Sequence, residues 1–403
     1  MKCMKLLLCT FFFTASHLFA QDTIKVMWYN ILNYPDINSA RIAYLQTILQ
    51  YEKPDIFVVC EITSPAGAST ILNTALNVGT TNYAMVNYTD GPDDENMLFY
   101  NTAKIGFKEQ NEIQATPRQY NEYVLYYKDP ALTASSDTAY LYMYAAHLKA
   151  GNTSSDASER ASASAILRSY LNTRPSAENT ILGGDMNIYG SSESAYSIFT
   201  GETQANLFDP IGPGEYHSNA SFAIHHTQST RLLSIDGGST GGMDDRFDMM
   251  LFSDDIRYGS NGVQFLAGSY RVVGQDGQHF NLALNEPANT SVPANILNAL
   301  YYMSDHLPIT MKLLAGGGVG IEEQGSGMKG LKVYPNPAKD KITYSMNETE
   351  ELFVSLCDMY GRIVFSNKGT GSQSIDVSSL AKGCYTLCIA SATGSVTRKI
   401  ILE

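Results

Sequence analysis

The chain has 403 residues, 44% hydrophobic and 17% charged, and its formal net charge is −13. That is more chain than one compact domain usually needs, and its 26 Tyr and 16 Phe favour sheets over helical bundles. The acidic balance excludes nucleic-acid binding through an overall basic field, so action on a phosphate polyanion would need a bound cation to neutralise charge.

Residues 1–20 read as a secretory signal peptide. Lys2 and Lys5 precede the apolar runs Leu6–Leu8 and Phe11–Phe13, and Ala20 stands before Gln21. The apolar run is shorter than the roughly 20 residues of a membrane span. Cleavage removes Cys3 and Cys9. Cys60, in an apolar run, reads as a small core residue. Cys384 and Cys388 share a strand face, and no disulfide is assigned.

Residues 21–315 form one mixed region. Strand-like runs recur at Ile24–Trp28, Ile56–Cys60, Met97–Tyr100, Tyr123–Tyr127, Ala139–Ala146, Thr180–Leu182, Phe247–Phe252 and Leu307–Leu314. Helical spacing appears in Ser39–Tyr51, through Ile42, Leu45, Ile48 and Leu49. It recurs in Ser158–Leu171, with Asp156 placed as a cap. So many strands, so often adjacent, fit two packed sheets with helices outside. Residues 316–330 are Gly-rich and aperiodic, a flexible linker. Residues 331–403 carry short strands at regular spacing with glycines between them, the pattern of a small all-β sandwich.

Polar groups gather where apolar runs end. Asn30 closes the first run and Glu61 the second. His147 follows Leu141–Ala146. In Gly183-Gly184-Asp185-Met186-Asn187, two glycines allow close backbone approach, and an acid and an amide two apart share a face in extended chain. Asp248 precedes Met249–Phe252. Asp305 and His306 stand before Leu307, Pro308 and Ile309. Oxygen-rich donors with few imidazoles suit a hard cation, Mg²⁺, Mn²⁺ or Ca²⁺, more than zinc.

The ordered set WYN, CE, AHLKA, GDMN, RFD and SDH resembles the endonuclease/exonuclease/phosphatase superfamily, over residues 24 to about 313. The resemblance implies a four-layer α/β/β/α sandwich and metal-dependent phosphoester hydrolysis. It implies Glu61 as the principal metal ligand, with Asn30 and Asp305 nearby. Asp185 would orient or deprotonate the attacking water, and Asn187 would hold a phosphate oxygen. His306 would contact the scissile phosphate, with Asp248 fixing its tautomer. His147 resembles the second histidine of the deoxyribonuclease branch, a proton donor to the leaving oxygen, and Glu95 the carboxylate paired to it. Cys60 departs from the family's usual Gln, and Tyr29 interposes in the common Trp-Asn order. The stretch from about Gly201 to Asp244, with His217, His225, His226 and Arg231, is not explained by these motifs. It reads equally as a specificity element or a surface loop.

The tail motifs VYPNPA, LCDMYGR, IDVSSL and RKIIL resemble the sorting domain of the type IX secretion system, over 331–403. They imply export, with the secretion machinery as a partner and no stable membrane insertion. The expectation is a secreted monomeric phosphodiesterase, a nuclease with a nucleic-acid substrate. The alternatives are a sphingomyelinase-like phospholipid phosphodiesterase, a phosphomonoesterase, or a non-catalytic binding protein of the same fold.

Overall fold

A computed structural model describes residues 22–91, 95–130, 138–174, 179–201, 206–316, 332–345, 352–358, 362–390 and 395–402. The expected signal segment and all but the first residue of the expected linker lie outside the described residues.

In the larger unit the strands are β1 (Asp22–Tyr34), β2 (Ile56–Ile62), β3 (Tyr83–Met85), β4 (Glu95–Asn101), β5 (Ile105–Ile113), β6 (Tyr120–Tyr127) and β7 (Tyr140–His147). They continue with β8 (Thr180–Asp185), β9 (Leu207–Phe208), β10 (Asp248–Ser253), β11 (Val263–Phe265), β12 (Arg271–Val272) and β13 (Ile309–Ala315). The helices are α1 (Ile42–Glu52), α2 (Pro65–Thr70), α3 (Ser154–Leu171), α4 (Ser194–Thr200), α5 (Asp254–Tyr258) and α6 (Ala294–Met303).

One sheet has the order β11-β13-β1-β2-β4-β3, with β12 also on β13; the other runs β5-β6-β7-β8-β10-β9. Period-two alternation sends Val26, Trp28, Val58 and Leu98 inward, where they share a core with Leu125, Met143, Ile181 and Met250 of the facing sheet. The sheets meet closely: a Cβ on Gly183 would lie 2.5 Å from the Trp28 ring. Leu45 and Ile48 of α1 and Leu300 and Met303 of α6 join the same core. On the second sheet's outer face, Ala163 and Leu167 of α3 and Phe199 of α4 pack on Tyr144, Leu182 and Leu251. Full burial of side chains this size stabilises by about 2–3 kcal/mol each. The result is the expected α/β/β/α sandwich.

The long helix differs at its start. It begins at Ser154, and Thr153 is the cap: its side chain accepts from Asp156 N, and the Asp156 side chain accepts from Thr153 N. Asp156 is therefore the third residue of a capping box rather than the cap itself.

Strand directions decide where the polar groups go. β1 is parallel to β2, and β7 is parallel to β8. β10 runs antiparallel to β8, and β13 antiparallel to β1. The C-terminal ends of four strands and the approaches to two others thus converge at one end of the sandwich. His147 pairs in register with Asp185, and Asp185 with Asp248, so the three lie side by side. Gly184 makes that edge possible. Its φ is +141°, and a Cβ there would sit 1.8 Å from the Ala146 carbonyl oxygen. Gly184→Ala is expected to cost about 3 kcal/mol or more, read as a fall in thermal midpoint.

The tail contains β14 (Lys332–Tyr334), β15 (Lys341–Ser345), β16 (Leu352–Cys357), β17 (Ile363–Gly369), β18 (Gln373–Asp376), β19 (Gly383–Ala390) and β20 (Ser395–Leu402). They form sheets β14-β15-β18 and β17-β16-β19-β20. Ile342, Tyr344 and Ile375 of one share a core with Val354, Leu356, Leu387 and Ile389 of the other, as a small sandwich requires. The four described cysteines are free. Among the described residues no helix is long and apolar enough to cross a membrane.

Candidate active site

Glu61 reaches the site by a backbone irregularity. Alternation along β2 would send it away from the face that Cys60 occupies. Its φ of +59°, with a register shift between Val59 and Ile62, turns the carboxylate back. Asn187, after the Gly-Gly-Asp run, is also left-handed at φ +50°. Such conformations cost roughly 1–3 kcal/mol in non-glycine residues and cluster at functional sites.

Asn30 joins the two sheets. Its Nδ2 donates to Glu61 Oε1 at 2.7 Å and to Asp185 Oδ2 at 3.1 Å, while its Oδ1 accepts from Leu32 N at 3.0 Å. Glu61 Oε2 accepts from Asn33 N at 3.0 Å. His147 Nε2 stands 3.7 Å from Glu61 Oε1 and 3.7 Å from Asp185 Oδ2. Across the cluster, His306 Nδ1 meets Asp248 Oδ2 at 2.7 Å, and His306 Nε2 lies 3.6 Å from Asp185 Oδ2. Asp185 Oδ1 accepts from Asn187 N at 3.1 Å, and Asn187 Nδ2 donates to Leu148 O at 3.2 Å. Asp305 Oδ2 accepts from Ser239 N at 2.7 Å, and Ser304 Oγ donates to Asn30 O at 2.8 Å.

Burial sets the charge states. It pushes Glu61 up to about 7, against the Asn30 hydrogen bond and the charge of His306. It pushes Asp185 up to about 6, again against His306. The His147 ring is driven well below its usual range by burial, with Arg118 and His306 adding to the effect. For His306 burial works the same way, but Asp248, Asp185 and Asp305 outweigh it and raise the ring well above its ordinary value. Two buried acids held from ionising by burial are a site short of positive charge. Glu61, His147 and Asp185 also offer ligand atoms all within 4.8 Å of one another. This oxygen-rich set fits a hard divalent cation.

The structure thus brings together Asn30, Glu61, His147, Asp185, Asn187, Asp248, Asp305 and His306. Glu95 does not join them as expected. His147 Nδ1 is buried without a hydrogen-bond partner among the described residues. Glu95 Oε1 instead accepts from Gly91 N at 2.5 Å. The His147 ring presents Nε2, not Nδ1, to the acids Glu61 and Asp185.

Two residues of the site carried no motif in the sequence. Arg118 donates from Nη1 to Leu148 O at 3.0 Å, and its charge reaches His147. Gln228, inside the unexplained 201–244 stretch, places its side-chain Nε2 2.6 Å from His306 Nε2 and 3.2 Å from Asp305 Oδ2. The rest of that stretch mostly holds itself. His226 bonds the Tyr216 and Met243 carbonyls, and Arg231 bonds those of Tyr301 and Ile235. His217 Nδ1 meets Asp245 Oδ1 at 2.7 Å.

Residues 27–306 match the family model described as Endonuclease/Exonuclease/phosphatase family, and 332–403 match that of the Secretion system C-terminal sorting domain. Beta-agarase D of Zobellia galactanivorans is 40% identical over 84 residues, which span 21% of this chain and 17% of that protein. Among solved structures, D. rerio TDP2 complexed with single-strand DNA product is 16% identical with a TM-score of 0.47, covering 72% of this chain and 98% of that one. The human Nocturnin catalytic domain with bound sulfate is 16% identical, TM-score 0.45, over 73% and 97%. An endonuclease/exonuclease/phosphatase from Beutenbergia cavernae is 14% identical, TM-score 0.45, over 94% and 100%.

Proposed function

Because the chain belongs to the endonuclease/exonuclease/phosphatase family, whose members hydrolyse phosphoester bonds, we propose that it is a cation-assisted phosphodiesterase acting on nucleic acid outside the cell. The sorting tail implies interaction with the type IX secretion machinery and delivery to the cell surface or the extracellular space. One observation supports the chemistry above others: the Asp248–His306 pair and the Asn30-bridged Glu61 and Asp185 face one another within a few ångströms.

Glu61 would hold the cation, Mg²⁺, Mn²⁺ or Ca²⁺, with Asn30 and Asp305 beside it. When bound, it would supply positive charge to a pentavalent phosphorus transition state. Asp185, poised near 6, orients water and takes its proton close to neutral pH. His306, kept charged by Asp248, holds a phosphate oxygen, and Asn187 holds another. The His147 ring is neutral in the free protein. The negative charge of a bound phosphodiester beside it raises its pKa, and from that state it protonates the leaving oxygen.

A second reading has its own support. Leu232 and Leu233 are 48% and 77% exposed on the loop that returns through Ser239 N to Asp305. Such a tip suits a phospholipid surface, and the lipid-phosphodiesterase alternative rests on it. The test is hydrolysis by the mature chain of supercoiled DNA, RNA, sphingomyelin vesicles and a simple phosphomonoester, each with a chelator control. Chelator-sensitive nicking of DNA is the expected result. Turnover of lipid or monoester alone would overturn the substrate, and silence on all four would overturn the activity.

Cation binding should release protons. Glu61 and Asp185 bind protons more tightly folded than unfolded, since burial raises them from 4.5 to about 7 and from 3.8 to about 6. They therefore stabilise the metal-free fold at low pH, and that contribution is lost as pH rises from about 4 towards 7. A cation competes with those same protons. Its apparent affinity is expected to rise by up to about tenfold per pH unit for each proton displaced, hence up to about a hundredfold per unit from pH 5 to 6, where both acids are protonated, and about tenfold from 6 to 7, measured by calorimetry in buffers of different ionisation enthalpy.

A further inference from the structure

We propose that Gln228 contacts the substrate: its side-chain amide donates to a non-bridging oxygen of the scissile phosphate, beside His306. The proposal deepens the phosphodiesterase reading above and rests on it for the identity of the ligand.

Its first support is how the residue is held. The Gln228 backbone bridges Asp245 on one side and His306 on the other. Gln228 N donates to Asp245 O at 3.1 Å, and Gln228 O accepts from Asp244 N and Asp245 N, each at 3.0 Å. On one side, Thr227 Oγ1 accepts from Phe247 N and Asp248 N, each at 3.2 Å, and Thr227 O accepts from Leu307 N at 2.7 Å. On the other, Thr230 N donates to Asp305 O at 3.0 Å, and Thr230 Oγ1 to Ser304 O at 2.8 Å. The segment is thus stitched between the strand approaches that carry Asp248 and His306. Gln228 sends its side chain from it into the cluster. A donor placed this firmly needs no reorganisation when charge develops on a ligand.

The second support is the donor chemistry. A primary amide nitrogen carries two hydrogens. One is directed at Asp305 Oδ2, 3.2 Å away; the other is not bonded to His306 Nε2, 2.6 Å away, because a ring nitrogen that holds a phosphate oxygen is itself a donor, and two such donors side by side call for an acceptor between them. That ring nitrogen is the one turned towards Asp185, 3.6 Å from its Oδ2. The amide and the ring therefore open onto the same volume. In phosphoryl transfer, charge spreads over the equatorial oxygens, and donors aimed at them do most of the protein's work. A neutral amide supplies such a donor without adding a cation that would compete for Glu61 and Asp185.

A purely bracing role, in which Gln228 only orients Asp305, makes a different prediction and is separable. Full-length mature protein and its Gln228→Ala and Gln228→Glu variants would be compared on bis(4-nitrophenyl) phosphate with Mn²⁺. Mn²⁺ affinity and inorganic phosphate affinity would be measured by calorimetry. Gln228→Ala is expected to lower kcat/KM about 100-fold and to weaken phosphate binding about tenfold, with Mn²⁺ affinity within twofold and the thermal midpoint unchanged. Gln228→Glu should be worse than alanine, because it puts an anion against the phosphate. Activity within threefold of wild type overturns the proposal. So does a loss of Mn²⁺ affinity in step with activity while phosphate binding holds. If the wild type cleaves no phosphodiester, phosphate binding still decides: tenfold weakening in the alanine variant keeps the contact and overturns only the reaction class. Equal binding, or none in the wild type, overturns the contact itself.

Discussion

His306→Ala is expected to lower kcat by about three orders of magnitude on whichever phosphoester the wild type cleaves. The ring is nearly enclosed, and its Nδ1 lies 2.7 Å from a carboxylate with no exposed surface. Asp248 thereby fixes which nitrogen faces the site and favours the charged ring. Removing the ring also strands Asp248, whose other oxygen already lacks a hydrogen-bond partner among the described residues. A buried carboxylate without its counter-charge costs about 3 kcal/mol or more, so lost activity could be blamed on a weakened fold. The double variant His306→Ala/Asp248→Asn separates the two effects. It should recover most of the lost thermal midpoint, because the stranded charge is gone, and recover none of the turnover. Activity above a tenth of wild type in the single variant would remove His306 from the mechanism.

Much of this site was legible because strands advertise their ends. An apolar run bounded by a polar residue marks a place where a strand's buried face can meet a site. In β1, β7, β8 and β10 that residue is Asn30, His147, Asp185 or Asp248, all of them on the inner face. Glu61 was legible as a residue but not as a direction, since plain alternation points it away and only its left-handed backbone returns it. Gln228 gave no signal: no periodicity surrounds it, and its place depends on bonds to Asp245, Asp248, Ser304 and Asp305, none of them a sequence neighbour. Strand β5 was hidden for a related reason. It lies at a sheet edge, and Lys108, Glu109 and Glu112 face solvent, so charges of the kind that protect an edge from pairing also mask the strand pattern. The pairing of Glu95 with His147 failed because motif order places residues near one another but does not choose the hydrogen bond. In the structure Glu95 Oε1 accepts from Gly91 N, and His147 Nδ1 has no hydrogen-bond partner among the described residues.

Deleting residues 331–403 is expected to leave kcat within twofold of the full chain and to abolish delivery to the medium. The tail's hydrophobic cluster is drawn wholly from residues 338–402, and those of the larger unit wholly from residues before 316. Removing the tail therefore uncovers no core of the sandwich that carries the site, and its stability should hold. Every residue placed in the site, from Asn30 to His306, precedes the tail. Its value to the cell is as an address, which predicts a specific fate for the truncated enzyme: active, folded and retained behind the outer membrane. The measurement is phosphodiesterase activity in periplasmic and culture-medium fractions of cells that make either form. A truncated enzyme that reaches the medium normally would overturn the sorting role. One that is retained but inactive would show that the sandwich depends on the tail in a way its separate cores do not suggest.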